Sequence, residues 1–208
     1  LKIIEPSFEI LDKFDGIEIL KKIEFIGRVA YQSYGQVSKD SYKSFIQNII
    51  NRGHLSVIEH FNISVKIICD RGISHELVRH RLASYTMESQ RYCNYNKKEF
   101  NFEIEVIKPL LNEKSSSYEL WKSVCINAEN SYMKMLDNGI SPQIARSVLP
   151  NSAATTIVIT ANLREWRHIF QLRTSKNAHP QMREVMVPLL EEMKKRLPII
   201  FDGIIGEE

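Results

Sequence analysis

Residues 76–92 read Glu-Leu-Val-Arg-His-Arg-Leu-Ala-Ser-Tyr-Thr-Met-Glu-Ser-Gln-Arg-Tyr, and no other stretch constrains the fold as much. Arg79, His80 and Arg81 stand side by side, and Arg91 closes the run. A guanidinium is a planar fork of donors that suits phosphate and flat oxygen acceptors. Several forks in one short segment repel one another unless an anion neutralises them. Leu77, Val78, Leu82, Ala83 and Tyr85 lie among the charges, so part of the segment is expected to be buried. From these residues alone, a solvated charged helix end and an anion site are about equally supported.

The rest of the chain bounds the choices. Its 208 residues suffice for one domain with a substantial core. A net charge of only +3 does not imply a general polyanion binder, so no nucleic acid is expected as partner. No apolar run is long enough to span a membrane, and the N-terminal stretch lacks a basic-then-apolar signal pattern. Cys69, Cys93 and Cys125 are too widely spaced for a disulfide framework or zinc knuckle, which points to a reducing, cytoplasmic compartment. The given sequence starts at Leu1, so an initiator methionine is expected ahead of it.

Periodicity predicts the elements. Residues 1–11 are expected to hold an opening strand. Ile19, Leu20, Ile23, Ile26 and Ala30 have helical spacing over 17–34, and Ser38 is placed to cap a second helix that stops at Gly53. Phe61, Ile63, Val65 and Ile67 alternate with polar residues, as in a half-buried strand. Arg71-Gly72 reads as a turn, and Ser74 as the cap of a short helix carrying Glu76, Arg79 and His80 along one side. Phe102, Ile104 and Val106 suggest a strand that Pro109 ends. Tyr118, Trp121, Cys125, Ala128, Tyr132 and Met135 form the core stripe of a long helix between a serine cap and Asn138-Gly139. Ser141-Pro142 opens a helix that carries Arg146, and 155–160 is β-branched enough for a strand. Asn162 with Glu165 resembles a capping box opening a helix through Arg173, and a last helix covers about 180–196. Strands separated by helices, with one wet face, predict an α+β fold: a central, mostly antiparallel sheet flanked by helices, as a single domain over 1–208.

Several constellations invite chemistry. His75 and His80 flank Glu76, but they are five residues apart. At 3.6 residues per turn that rotates one about 140° from the other, so the zinc-protease pattern fails and no metal is expected. Cys93 follows Arg91-Tyr92 with no partner base in the sequence, and a structural role is expected of it. Arg173 lies at the end of its helix, where a cation suits the dipole; Arg164 lies in the first turn, where it does not. A cation placed against the dipole hints at another partner, such as a diphosphate.

Arg79-His80-Arg81, seven residues, then Ser89 and Arg91-Tyr92 resemble the signature of flavin-dependent thymidylate synthases. Two further blocks match in the family's order: Gly53-His54 with Glu59-His60, and the 145–179 region with its Ala-Arg-x-x-Leu-Pro, Asn-x-Arg and Leu-Arg elements. The resemblance implies conversion of dUMP to dTMP with FAD, NADPH and methylenetetrahydrofolate, by homotetramers whose active sites draw on more than one subunit. It implies FAD contacts from His54, Ser56, Glu59, Arg79, His80, Arg81, Asn162, Arg164 and His168. It implies dUMP contacts from Glu76, Arg79, Met87, Glu88, Ser89, Gln90 and Arg91, with Arg146 from another subunit. Arg173 matches the family's activating arginine at the pyrimidine and is the catalytic candidate. The chain departs from the common pattern in three places. Thr86-Met87-Glu88-Ser89 stands where Asn-Glu-x-Ser is usual, Glu76 where glutamine is frequent, and His168 where asparagine is frequent. The chemistry implied is electrostatic: a guanidinium at the ring stabilises developing negative charge, reduced flavin carries hydride, and no protein nucleophile is required. Two other readings predict different behaviour: an RNA- or nucleotide-binding module with Tyr85 and Tyr92 as stacking faces, and a metal-dependent hydrolase.

Overall fold

The computed structural model describes residues 1–204. In chain order its elements are β1 (Lys2–Ile4), β2 (Ser7–Ile10), α1 (Gly16–Arg28), α2 (Ser41–Asn51), β3 (Asn62–Asp70), α3 (Arg71–Leu77), β4 (Ala83–Met87), β5 (Glu105–Ile107), α4 (Ser116–Asp137), α5 (Pro142–Ala145), β6 (Ala154–Asn162), α6 (Leu163–Arg173) and α7 (Pro180–Arg196). A four-stranded antiparallel sheet has the order β2-β3-β6-β4, and helices flank it. β1 and β5 pair in parallel, with Lys2 opposite Glu105. The expected α+β class holds.

Local chemistry explains the boundaries. The opening strand divides at Glu5-Pro6, because proline brings no N–H to a ladder. α1 starts at the Asp15 cap, whose carboxylate accepts from Ile17 and Glu18 N–H. It ends at Arg28, short of the expected 34, and a 3₁₀ turn follows. α2 begins at Ser41 after Asp40, so Ser38 is not its cap. β3 runs on to Asp70, and that carboxylate caps α3 through Ile73 N–H at 2.7 Å. Arg71-Gly72 is therefore helix rather than turn. Arg79 and His80 lie beyond α3 instead of along its side. Phe102 takes a positive φ of 56° and is exposed, which shortens the expected strand to β5.

The described residues gather into two compact units. The first holds 1–7, 67–79 and 85–158. Its core joins Cys125 and Tyr132 of α4 to Tyr95, Ile104, Val106 and Ala145, so the predicted stripe is core. The second holds 8–66, 80–84 and 159 onward. There Trp166 and Phe170 of α6 are fully buried, Trp166 Nε1 donates to Ile63 O at 3.0 Å, and Phe170 meets Phe201 edge to face. In the same unit the backbones at Gly16 and Arg196 touch so closely that only glycine fits at position 16.

Candidate active site

In the second unit, α6 leaves β6 at Asn162, whose side-chain oxygen accepts from Glu165 N–H at 2.9 Å. That is half of the predicted capping box. The other half would turn Glu165 back toward Asn162 N–H. Instead the Glu165 carboxylate is buried, with Oε1 3.5 Å from His80 Nδ1. On its other side, His80 Nε2 accepts a hydrogen bond from Arg173 Nε at 3.0 Å. The His168 ring packs edge-on to His80 with centroids 5.6 Å apart. Burial pulls the His80 pKa from 6.5 down to about 4, aided by the neighbouring Arg173 and His168 charges. The ring is thus neutral near pH 7. Burial also raises the Glu165 carboxyl above its ordinary value, against the opposing pull of His168 and Arg164.

Beside this group lies a cleft of about 580 Å³, lined by Leu55, Glu59, Leu82, Asn162, Arg164 and His168 among others. Arg164 Nη1 donates to Glu59 Oε1 at 2.6 Å, which supplies a partner for the cation placed against the helix dipole. Both ends of this pair are solvent-accessible, so it is worth no more than about 1 kcal/mol and yields readily to an anion. Leu82, one of the apolar residues among the charges, is 78% exposed and forms part of the wall. A second groove of the same unit, about 760 Å³, is lined in part by Arg52, His54 and Ser56. Exposed guanidinium, amide and imidazole donors beside apolar Leu55 and Leu82 fit a dinucleotide with a flat ring system. Arg81 is exposed on the 80–84 segment of this unit.

The first unit carries most of the residues expected at dUMP. Glu76 is half-buried on α3, Arg79 is exposed after it, and Met87 ends β4, a strand that the sequence pattern did not reveal. Tyr85 Oη donates to Leu77 O at 2.8 Å, tying β4 to α3. Glu88 Oε1 accepts from Tyr95 Oη at 2.6 Å, at the edge of a cavity of about 200 Å³. Arg71 Nη1 holds the Glu88 carbonyl and Thr155 Oγ1. Gln90 is buried, and its amide nitrogen meets no acceptor among the described residues. Arg91 is exposed and lies over the Tyr92 ring at 5.5 Å, and Arg146 is half-buried just after α5. Burial raises the Cys93 pKa, and Glu88 adds to the shift, so this thiol is not primed as a nucleophile.

The sequence does not announce two partners of expected site residues, Tyr95 at Glu88 and Glu165 at His80. Tyr95 gave no signal there. Glu165 did give one, because it falls on the buried stripe of α6 with Trp166, Ile169 and Phe170, where a carboxylate needs a partner.

The fold matches that of the UMP/dUMP methylase PolB from Streptomyces cacaoi, solved with 5-Br dUMP. The TM-score is 0.79 over 99% of this chain and 100% of that one, at 22% identity, which is a likeness of fold. In sequence, residues 15–199 match the Thy1 family, thymidylate synthase complementing protein. The flavin-dependent thymidylate synthase of Pyrococcus furiosus is 35% identical over 84% of this chain and 71% of its own length. The enzyme of the same name from Geobacter sulfurreducens is 33% identical over 86% and 79%. The chain belongs to the flavin-dependent thymidylate synthase family.

Proposed function

We propose that this chain, as one domain over 1–208, converts dUMP to dTMP with methylenetetrahydrofolate as carbon donor, NADPH as reductant and FAD as cofactor. The observation that carries the reading is Arg173, half-buried and oriented through Nε by a neutral His80. Uracil is a poor electrophile at C6 and a poor nucleophile at C5. A guanidinium fixed at the ring stabilises the negative charge that develops on its oxygen and N3. FAD supplies the hydride when bound. The protein's part is to position and polarise, consistent with a Cys93 thiol held in its unreactive form.

His54, Ser56, Glu59, His80, Arg81, Asn162, Arg164 and His168 hold the flavin, with Arg79. The two clefts of the second unit support this, since His54, Ser56, Glu59, Asn162, Arg164 and His168 all line them. Glu76, Arg79, Met87, Glu88, Ser89, Gln90 and Arg91 cradle dUMP together with Arg173 and another subunit's Arg146. The buried Gln90 amide, which meets no acceptor among the described residues, suits an oxygen-rich ligand. The working form is a cytoplasmic homotetramer with shared active sites, supported by exposed Leu120 and Val124, one turn apart on α4. Among the described residues no helix is long and apolar enough to cross a membrane.

The experiment is a spectrum and a turnover assay. The purified protein is yellow, and it oxidises NADPH faster when dUMP is added. Arg173→Ala abolishes dTMP formation while flavin stays bound; full turnover by that variant would refute the role given to Arg173.

A further inference from the structure

We propose that Glu165 is a positioning residue for this reaction, acting on Arg173 through the tautomer of His80. The inference rests on the functional reading above for what Arg173 does, and on geometry alone for the rest. Arg173 Nε–H points at His80 Nε2 at 3.0 Å, and a guanidinium N–H is always a donor. Nε2 must therefore carry a lone pair. A neutral imidazole then has its proton on Nδ1, the nitrogen that faces Glu165 Oε1 at 3.5 Å. An ionised carboxylate only accepts, so it favours that tautomer and opposes the other. The distance is long for a hydrogen bond, but both groups are about 5% exposed, and water does not screen them from each other.

The alternative tautomer would set two N–H groups nose to nose at Arg173 and push the guanidinium aside. Glu165 itself is fixed by the Asn162 cap on its backbone N–H. The order of control runs from the end of β6 through the first turn of α6 to the imidazole, and from there to the arginine at the end of the same helix.

A metal reading of the same residues fails on this geometry. The ligand atoms of His80, Glu165 and His168 lie within 4.8 Å of one another, close enough for one ion to bridge. An ion on His80 Nδ1 would drive the ring proton to Nε2, against Arg173. An ion on Nε2 would displace Arg173 outright.

Histidine nitrogen NMR on ¹⁵N-labelled protein tests the proposal, with the His80 signals assigned by their loss in His80→Gln. The native protein shows a protonated Nδ1 and a bare Nε2. In Glu165→Ala the two tautomers mix, and kcat falls by about a hundredfold, the cost of misplacing a catalytic group by roughly an ångström. Flavin content and dUMP KM change far less than kcat. Glu165→Gln, which keeps an acceptor oxygen, recovers most of the loss in kcat and restores the Nδ1–H signal. A Glu165→Ala protein with an unmoved tautomer, or with native kcat, overturns the proposal. So does zinc that shifts the His80 signals of the native protein at stoichiometric concentration. A native protein that makes no dTMP refutes the functional reading instead, and the NMR spectrum then still reports whether Glu165 sets the ring.

Discussion

Lowering the pH puts a proton on His80 only at a cost, and the sign and size of that cost follow from its surroundings. Burial, with Arg173 and His168 beside it, holds the folded pKa near 4 against 6.5 for a free ring, while the Glu165 carboxylate 3.5 Å from Nδ1 pulls the other way. Above pH 6.5 both folded and unfolded chains carry the neutral ring, and it contributes nothing to pH dependence. Between 6.5 and about 4 the unfolded chain takes up the proton and the folded chain refuses it, so stability is lost as pH falls through that window. The full gap sets an upper bound of roughly 3 kcal/mol, a large share of the stability of a domain this size. Urea midpoints measured at intervals from about pH 7.5 to 4.5, on the native protein and on His80→Gln, isolate the effect. The glutamine oxygen still accepts from Arg173 but does not titrate. By about pH 4.5 the native curve should have fallen relative to the variant by up to roughly 2.5 kcal/mol. Parallel curves would mean that the ring titrates alike in both states and that the buried, cation-flanked site does not exist. The turnover profile gives an independent check. Its acid limb should lie below pH 6, since a protonated His80 no longer accepts from Arg173.

Two further changes test the frame that holds the site. Gly16→Ala puts a Cβ 1.8 Å from the Arg196 carbonyl oxygen, a backbone atom with nowhere to go. It should cost about 2 kcal/mol or more and lower Tm by several degrees in a thermal melt, and an unchanged Tm would disprove the close approach. Tyr95→Phe removes the phenol that donates to Glu88 at 2.6 Å. The carboxylate left without it should cost about 1–3 kcal/mol by urea unfolding, and dUMP titration should show weaker binding with flavin content unchanged.

What could be read from the sequence was chemistry and type of element. The run of cations around His80 in the sequence, the half-buried β3, the core stripe of α4 and the helix from Asn162 to Arg173 are all local patterns, set by periodicity and by side-chain class. What could not be read was direction. Ser38 and Ser74 have the right side chains for caps, but Asp40 and Asp70 precede the helices that form, and Asp70 takes its cap by lying at the end of β3. Glu165 was assigned to Asn162 because capping boxes are local. The competing partner, His80, is 85 residues earlier in the chain and gives no local sign of its position. Leu82 is one of the apolar residues that make partial burial of the segment an expectation. On the 80–84 segment only His80 is buried, and Leu82 is exposed.

β4 is the most consequential of the missed elements, because it decides what the displaced acid of the signature means. Thr86-Met87-Glu88-Ser89 looks like a one-residue slip of the usual Asn-Glu-x-Ser, a small change if the segment were an irregular loop. It is a strand, and in a strand one residue is a change of face. Ala83, Tyr85 and Met87 share one side, all partly buried, while Ser84 and Thr86 share the exposed side. Glu88 N–H continues the ladder by donating to Thr156 O at 2.9 Å, so the alternation carries Glu88 away from the side of Met87. There Tyr95 meets its carboxylate, and burial together with Glu88 holds the phenol in its protonated form. The side that would carry a carboxylate in the common pattern carries a thioether here, neutral and polarizable. Whatever that acid does in relatives, this chain must do through Met87 or without it. A swap that restores the usual order, Met87→Glu with Glu88→Leu, therefore moves a charge across the strand instead of along it.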